Sequence, residues 1–160
     1  MILSIEVEHD GWSALPELET LARQAVAQTL SLAAREAAAE RTTGEILVLL
    51  TSDAEVRALN KAWRGKDKAT NVLSFPFPPD APLPPDESRP LGDIALAFET
   101  VQREAEVQGK VLEHHALHLI VHGTLHLLGY DHEDDAEAET MENAERQILA
   151  ALGMEDPYRT

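Results

Sequence analysis

The sequence predicts an α+β fold, layered in the α/β manner, with about four strands in a mixed sheet, about five helices around it, and one domain over residues 1–160. Three observations lead there. Short apolar runs, such as EILVLL at 45–50 and GDIALAF at 92–98, alternate with longer stretches of helical periodicity. Seven of the nine prolines fall within residues 76–90, so the chain on either side is free of strong helix and strand breakers over long stretches. No internal repeat and no linker divides the chain. At this length a compact domain buries roughly 70% of the surface its unfolded form exposes, enough for a core and one recessed site.

Taken in order, ILSIEV at residues 2–7 alternates loosely and suits a strand. Residues 15–40 are rich in alanine and leucine, with Leu18, Leu21, Ala25 and Leu32 at helical spacing. Gly44 then punctuates before the buried strand EILVLL. Ser52 or Asp53 offers the N-cap of a helix running to about Ala62, because either side chain can accept from unpaired N–H groups of the first turn. NVLSF at 71–75 reads as a strand, the proline-rich segment as a surface loop, and residues 92–98 as the next strand. A short helix from Glu99 to about Val107 stops near Gly109; a second helix spans Val111 to Leu128; a last one, from Asp135 to Leu152, stops at Gly153. Met141, Ile148, Leu149 and Leu152 are its candidate inward positions.

The chain has no cysteine, so disulfides are excluded and a metal would have to be held by histidine or carboxylate. The N-terminus does not read as a signal peptide, and no apolar run approaches a membrane span, so a cytoplasmic protein without a membrane partner is expected. A net charge of −16 argues against general nucleic-acid affinity. The charge is polarised, however. Five of the 13 basic residues, Arg57, Lys61, Arg64, Lys66 and Lys68, share one short segment, while eight carboxylates crowd Asp131 to Glu145.

The chemistry concentrates in HGTLHLLGYDH, residues 122–132. Histidines at 114, 118, 122 and 126 repeat every fourth residue of an otherwise apolar helix. On a helix this puts them in one row with about 6 Å of rise per step, so only neighbours can share an ion. Gly129 can end the helix in a left-handed conformation and return the chain, bringing His132 beside His122 and His126. Three imidazoles leave zinc an open fourth position, the catalytic arrangement. One zinc ion per chain is therefore expected on His122, His126 and His132, with Asp131 or a backbone carbonyl orienting an imidazole. His114, His115 and His118 are expected to be structural, bonded to backbone carbonyls, with His118 able to line the site. The spacing H-x-x-x-H-x-x-G-x-x-H is also that of metzincin peptidases, but Gly123 stands where those enzymes keep a catalytic glutamate. Glycine within a helix costs about 1 kcal/mol against alanine, so room at the metal or close packing must compensate.

The histidine motif, together with RGKDKATNVLSFPF (64–77), LGDI (91–94) and the acidic helix ETMENAERQILAALG, resembles the YbeY family of metal-dependent endoribonucleases over residues 45–153. Ala69 departs from the proline usual in the RGKDK element. The closeness of Arg64, Lys66 and Lys68 in sequence suits a phosphate-facing, substrate-binding patch. The resemblance implies that His122, His126 and His132 are the zinc ligands and that Arg64 is functionally important, so Arg64 and His122 are the expected catalytic residues. It implies cleavage of single-stranded RNA, 16S rRNA 3′-end maturation and ribosome quality control, with the ribosome or small-subunit proteins as partners. Two other readings fit the residues: a zinc peptidase, and a non-catalytic ribosome-assembly factor whose zinc is structural and closed by a fourth ligand such as Asp131.

Overall fold

The computed structural model describes residues 2–36, 44–78, 80–83 and 89–158. Its elements run β1 (Ile2–Val7), a short 3₁₀ helix (Asp10–Ala14), α1 (Leu18–Arg35), β2 (Glu45–Thr51), α2 (Asp53–Arg64), β3 (Val72–Pro76), β4 (Gly92–Ala97), α3 (Phe98–Gln108), α4 (Leu112–Leu127) and α5 (Asp135–Ala151). The four strands form one mixed sheet in the order β1-β2-β4-β3. β1, β2 and β4 are parallel, and β3 runs antiparallel to β4 at the sheet edge. The α+β fold read from the sequence is the fold observed. The 3₁₀ helix is an addition, held where the Trp12 indole donates to the Thr51 carbonyl at 3.0 Å. The first long helix begins at Leu18, and the residues from 37 to 40 that were expected to extend it lie outside the described ones.

Alternation along the strands divides the core. Ile46, Val48 and Leu50 of β2 and Ile94 and Leu96 of β4 face α1, α4 and α5. Ala95 and Ala97 of β4 with Leu73 of β3 face Val56 of α2 on the opposite side. The small Ala95 and Ala97 allow α2 to lie close. α4 is apolar nearly all round because it is enclosed by α1, α3, α5 and the sheet.

Gly123 is where α4 meets the sheet. A Cβ built there would stand 3.0 Å from Ile94 Cγ2 and 3.1 Å from Ser74 Oγ, and Ser74 donates to the Gly123 carbonyl at 3.3 Å. Close packing is thus what compensates for this glycine, and the alternative of extra room at the metal is set aside. Gly123→Glu, which restores the residue a peptidase would carry, is expected to destabilise the fold by at least about 3 kcal/mol, because overpacking and carboxylate burial add. Thermal denaturation followed by circular dichroism checks this; an unchanged midpoint would contradict it.

Candidate metal centre and RNA cleft

α4 presents His122 and His126 one turn apart, and the chain after it brings up the third imidazole. Gly129 takes φ +98°, its N–H donating to the His126 carbonyl at 3.0 Å, while Tyr130 N–H donates to Leu125 O at 3.0 Å. This turn delivers His132. One nitrogen from each of His122, His126 and His132 lies within 4.8 Å of the others, and the ring centroids are 4.7 to 5.8 Å apart. Such a donor set could hold a metal ion and its chemistry suits zinc, since it is all imidazole and no carboxylate belongs to the cluster among the described residues. Burial, and then the charges of His122 and His132, hold His126 below the ordinary histidine pKa, which favours the neutral, ligating form.

Orientation comes from α5. Glu145 is 0% exposed, and its Oε1 lies 2.6 Å from His122 Nδ1. With Nδ1 engaged, Nε2 is the nitrogen left to face a metal. The other oxygen, Oε2, is 3.1 Å from His118 Nε2 and also accepts from the Tyr158 hydroxyl. Burial alone would raise the Glu145 pKa, but hydrogen bonds from His118, His122 and Tyr158 outweigh it and hold the carboxyl down to about 2. Burial and this carboxylate push the Tyr158 hydroxyl upward, keeping it a donor. Of the expectation that Asp131 or a backbone carbonyl orients an imidazole, the carbonyl half holds at His126, which bonds the Tyr130 backbone; Asp131 Oδ1 instead accepts from the His132 backbone N–H at 2.8 Å, and Glu145 orients His122. Likewise His115 and His118 bond carboxylates rather than backbone carbonyls, His115 Nε2 meeting Glu104 Oε1 at 2.9 Å. His114 is exposed.

Glu145→Gln is expected to keep the fold and weaken metal binding about 10- to 100-fold, the usual cost of losing such an orienting partner. Competition with a chromogenic chelator measures it, and unchanged affinity would contradict the orienting role.

The cluster opens on a cleft of about 1230 Å³, lined by His122, His126 and His132, by Ser74 and Phe75 of β3, by Asp93 of β4, and by Leu59, Trp63 and Arg64 of α2. Arg64 reaches it because α2 ends in a fixed way. Ser52 caps the helix start, accepting from Glu55 N–H at 3.2 Å. At the other end Gly65 takes φ 71°, with Gly65 N–H on Lys61 O and Lys66 N–H on Asn60 O at 3.1 and 3.2 Å. Buried Asn60 then holds the Lys68 carbonyl at 2.9 Å. Arg57 and Asp67 pair through two hydrogen bonds of 2.7 and 3.2 Å, which raises the arginine pKa and lowers that of the aspartate. Arg64, by contrast, has no hydrogen-bond or ion-pair partner among the described residues. Lys66 and Lys68 are exposed on the following loop and are not part of the cleft lining. Asp93, to which the sequence alone assigns no role, adds a carboxyl to the cleft whose pKa is raised by partial burial.

A sequence model of the family described as Endoribonuclease YbeY matches residues 9–153. The chain is 53% identical over 150 residues to Endoribonuclease YbeY of Rhodopseudomonas palustris (strain BisA53), spanning 93% of this chain and 85% of the relative. It is 51% identical over 160 residues to Endoribonuclease YbeY of Azorhizobium caulinodans, spanning 99% and 96%. The solution structure of TM1509 from Thermotoga maritima is similar in fold, with a TM-score of 0.55 at 24% identity, covering 99% of this chain and all of that one. On the family match and these identities, the chain belongs to the YbeY endoribonuclease family.

Proposed function

We propose that this protein is a zinc-dependent, single-strand-specific endoribonuclease of the cytoplasm that acts in 16S rRNA 3′-end maturation and ribosome quality control. The observation that carries the reading is the meeting, in one cleft, of three clustered imidazoles and an arginine without a hydrogen-bond or ion-pair partner among the described residues. His122, His126 and His132 hold the ion, one per chain. When bound, zinc supplies Lewis acidity toward a phosphoryl oxygen and a lowered pKa for water. Arg64 offers its planar fork to the scissile phosphate and offsets charge that builds there. His122, fixed by Glu145, keeps its ligating nitrogen aimed into the cleft, and Lys66 and Lys68 guide the flanking phosphates toward it. The strongly acidic remainder of the chain limits nonspecific RNA binding, which suits delivery of substrate by the ribosome or small-subunit proteins.

Phosphodiester chemistry is favoured over peptide hydrolysis by Gly123, since no carboxylate stands there and a side chain would press from its first carbon on Ile94 and Ser74. A catalytic site is favoured over a closed structural one by a donor set of three imidazoles without a carboxylate. The test uses RNA blocked at both ends. Internal cuts in the single strand, few in a duplex of the same sequence, and none in unstructured peptides are expected. Peptide hydrolysis without RNA cleavage would overturn the reading. The new termini report the nucleophile, a 2′,3′-cyclic phosphate marking attack by the neighbouring 2′-OH.

A further inference from the structure

The apolar stripe of α2 does not stop where the core stops. Val56, Leu59 and Trp63 follow one another at helical spacing along one face. Val56 is 0% exposed and Leu59 packs against the small cluster around Leu73, but Trp63 is 74% exposed. Its indole has no ring, cation or hydrogen-bond partner among the described residues, and it lines the same cleft as Arg64 and the three histidines. Lys61, Arg64, Lys66 and Lys68 lie within five residues of it along the chain, a cationic segment in a chain of net charge −16, and Arg64 lines the cleft beside it. A flat, exposed apolar ring next to an arginine in one cleft matches one occupant in particular, a polyanion that also carries flat apolar groups.

We propose that Trp63 is a stacking platform for an unpaired base of the RNA strand, seated while Arg64 engages the adjoining phosphate. The inference rests on the endoribonuclease reading above and deepens it. Consecutive residues of a helix diverge by about 100°, so the ring and the guanidinium flank one stretch of strand rather than compete for one point. Every base offers a π face, so the platform is tolerant of sequence, whereas bases stacked within a duplex have no face to give. Selection of single strands thus has a physical source at the rim of the cleft, separate from the chemistry at the histidines.

The two tryptophans make the test direct. Trp12 is 2% exposed with its indole N–H bonded to Thr51 O, so a change in emission on adding RNA reports Trp63. Short oligoadenylate is expected to quench the full-length protein, while an abasic strand of the same length is not. Trp63→Ala is expected to weaken oligoadenylate binding roughly 5- to 150-fold, the range of one base-aromatic stack, raising KM more than it lowers kcat. Trp63→Phe should recover most of the affinity, and abasic RNA should bind wild type and Trp63→Ala alike. Unquenched emission at saturation, or equal oligoadenylate affinity for wild type and Trp63→Ala, would overturn the platform. Cleavage measured on the same proteins separates the two claims: cutting without quenching removes the platform alone, and quenching without cutting removes the nuclease reading alone.

Discussion

His126→Ala is expected to lower bound zinc from one per chain to almost none after dialysis and to reduce RNA cleavage by about 1000-fold or more, the order of several kcal/mol of lost charge stabilisation. Two imidazoles would remain, with His132 at the end of an exposed turn and unable to compensate. The fold should survive. His126 is half-buried and lines the cleft beside two other imidazoles. Removing it leaves a small void at the open end of the cleft rather than in the core. Metal analysis and circular dichroism on the same sample check both halves. A folded variant that has lost its metal but still cleaves RNA would contradict the assignment.

Arg64→Ala is expected to separate metal from catalysis. Bound zinc should stay at one per chain, because Arg64 touches none of the three histidines or Glu145. Cleavage should fall by about 100- to 1000-fold, as when one preorganised donor to a developing negative charge is removed. Arg64→Lys should recover only part of this, since a point charge cannot reproduce the two parallel bonds of a guanidinium. Arg57→Ala provides the contrast within the same segment. Its side chain is committed to Asp67 at the surface, so its loss should leave cleavage within a few-fold of wild type. Equal losses in Arg57→Ala and Arg64→Ala would mean that the segment acts only as diffuse positive charge.

The histidine cluster was legible because its determinants are local. Helical spacing fixes His122 against His126, and one glycine at a helix end returns His132, so eleven residues carry the whole cluster. Its support was less legible because Glu145 meets His122 from another helix, 23 residues away. A signal did exist. Glu145 stands one turn after Met141 and three residues before Ile148, at an inward position where a carboxylate is costly unless it is bonded. The acidic character of the surrounding stretch concealed it. The basic segment had the converse problem: the sequence counts five similar cations, and only the fold shows Arg57 tied to Asp67 while Arg64 lines the cleft with no ion-pair partner among the described residues. Helix ends were read to within a few residues, and the 3₁₀ turn before α1 passed unnoticed because it depends on Trp12 reaching the Thr51 carbonyl across the fold.

The most direct measurement is cleavage of end-blocked single-stranded RNA by protein stripped with chelator and then titrated with zinc. Activity should disappear with the metal and return in proportion to zinc, reaching its plateau at one ion per chain. Undiminished cleavage by the metal-free protein would contradict the central claim that the three histidines form the catalytic centre.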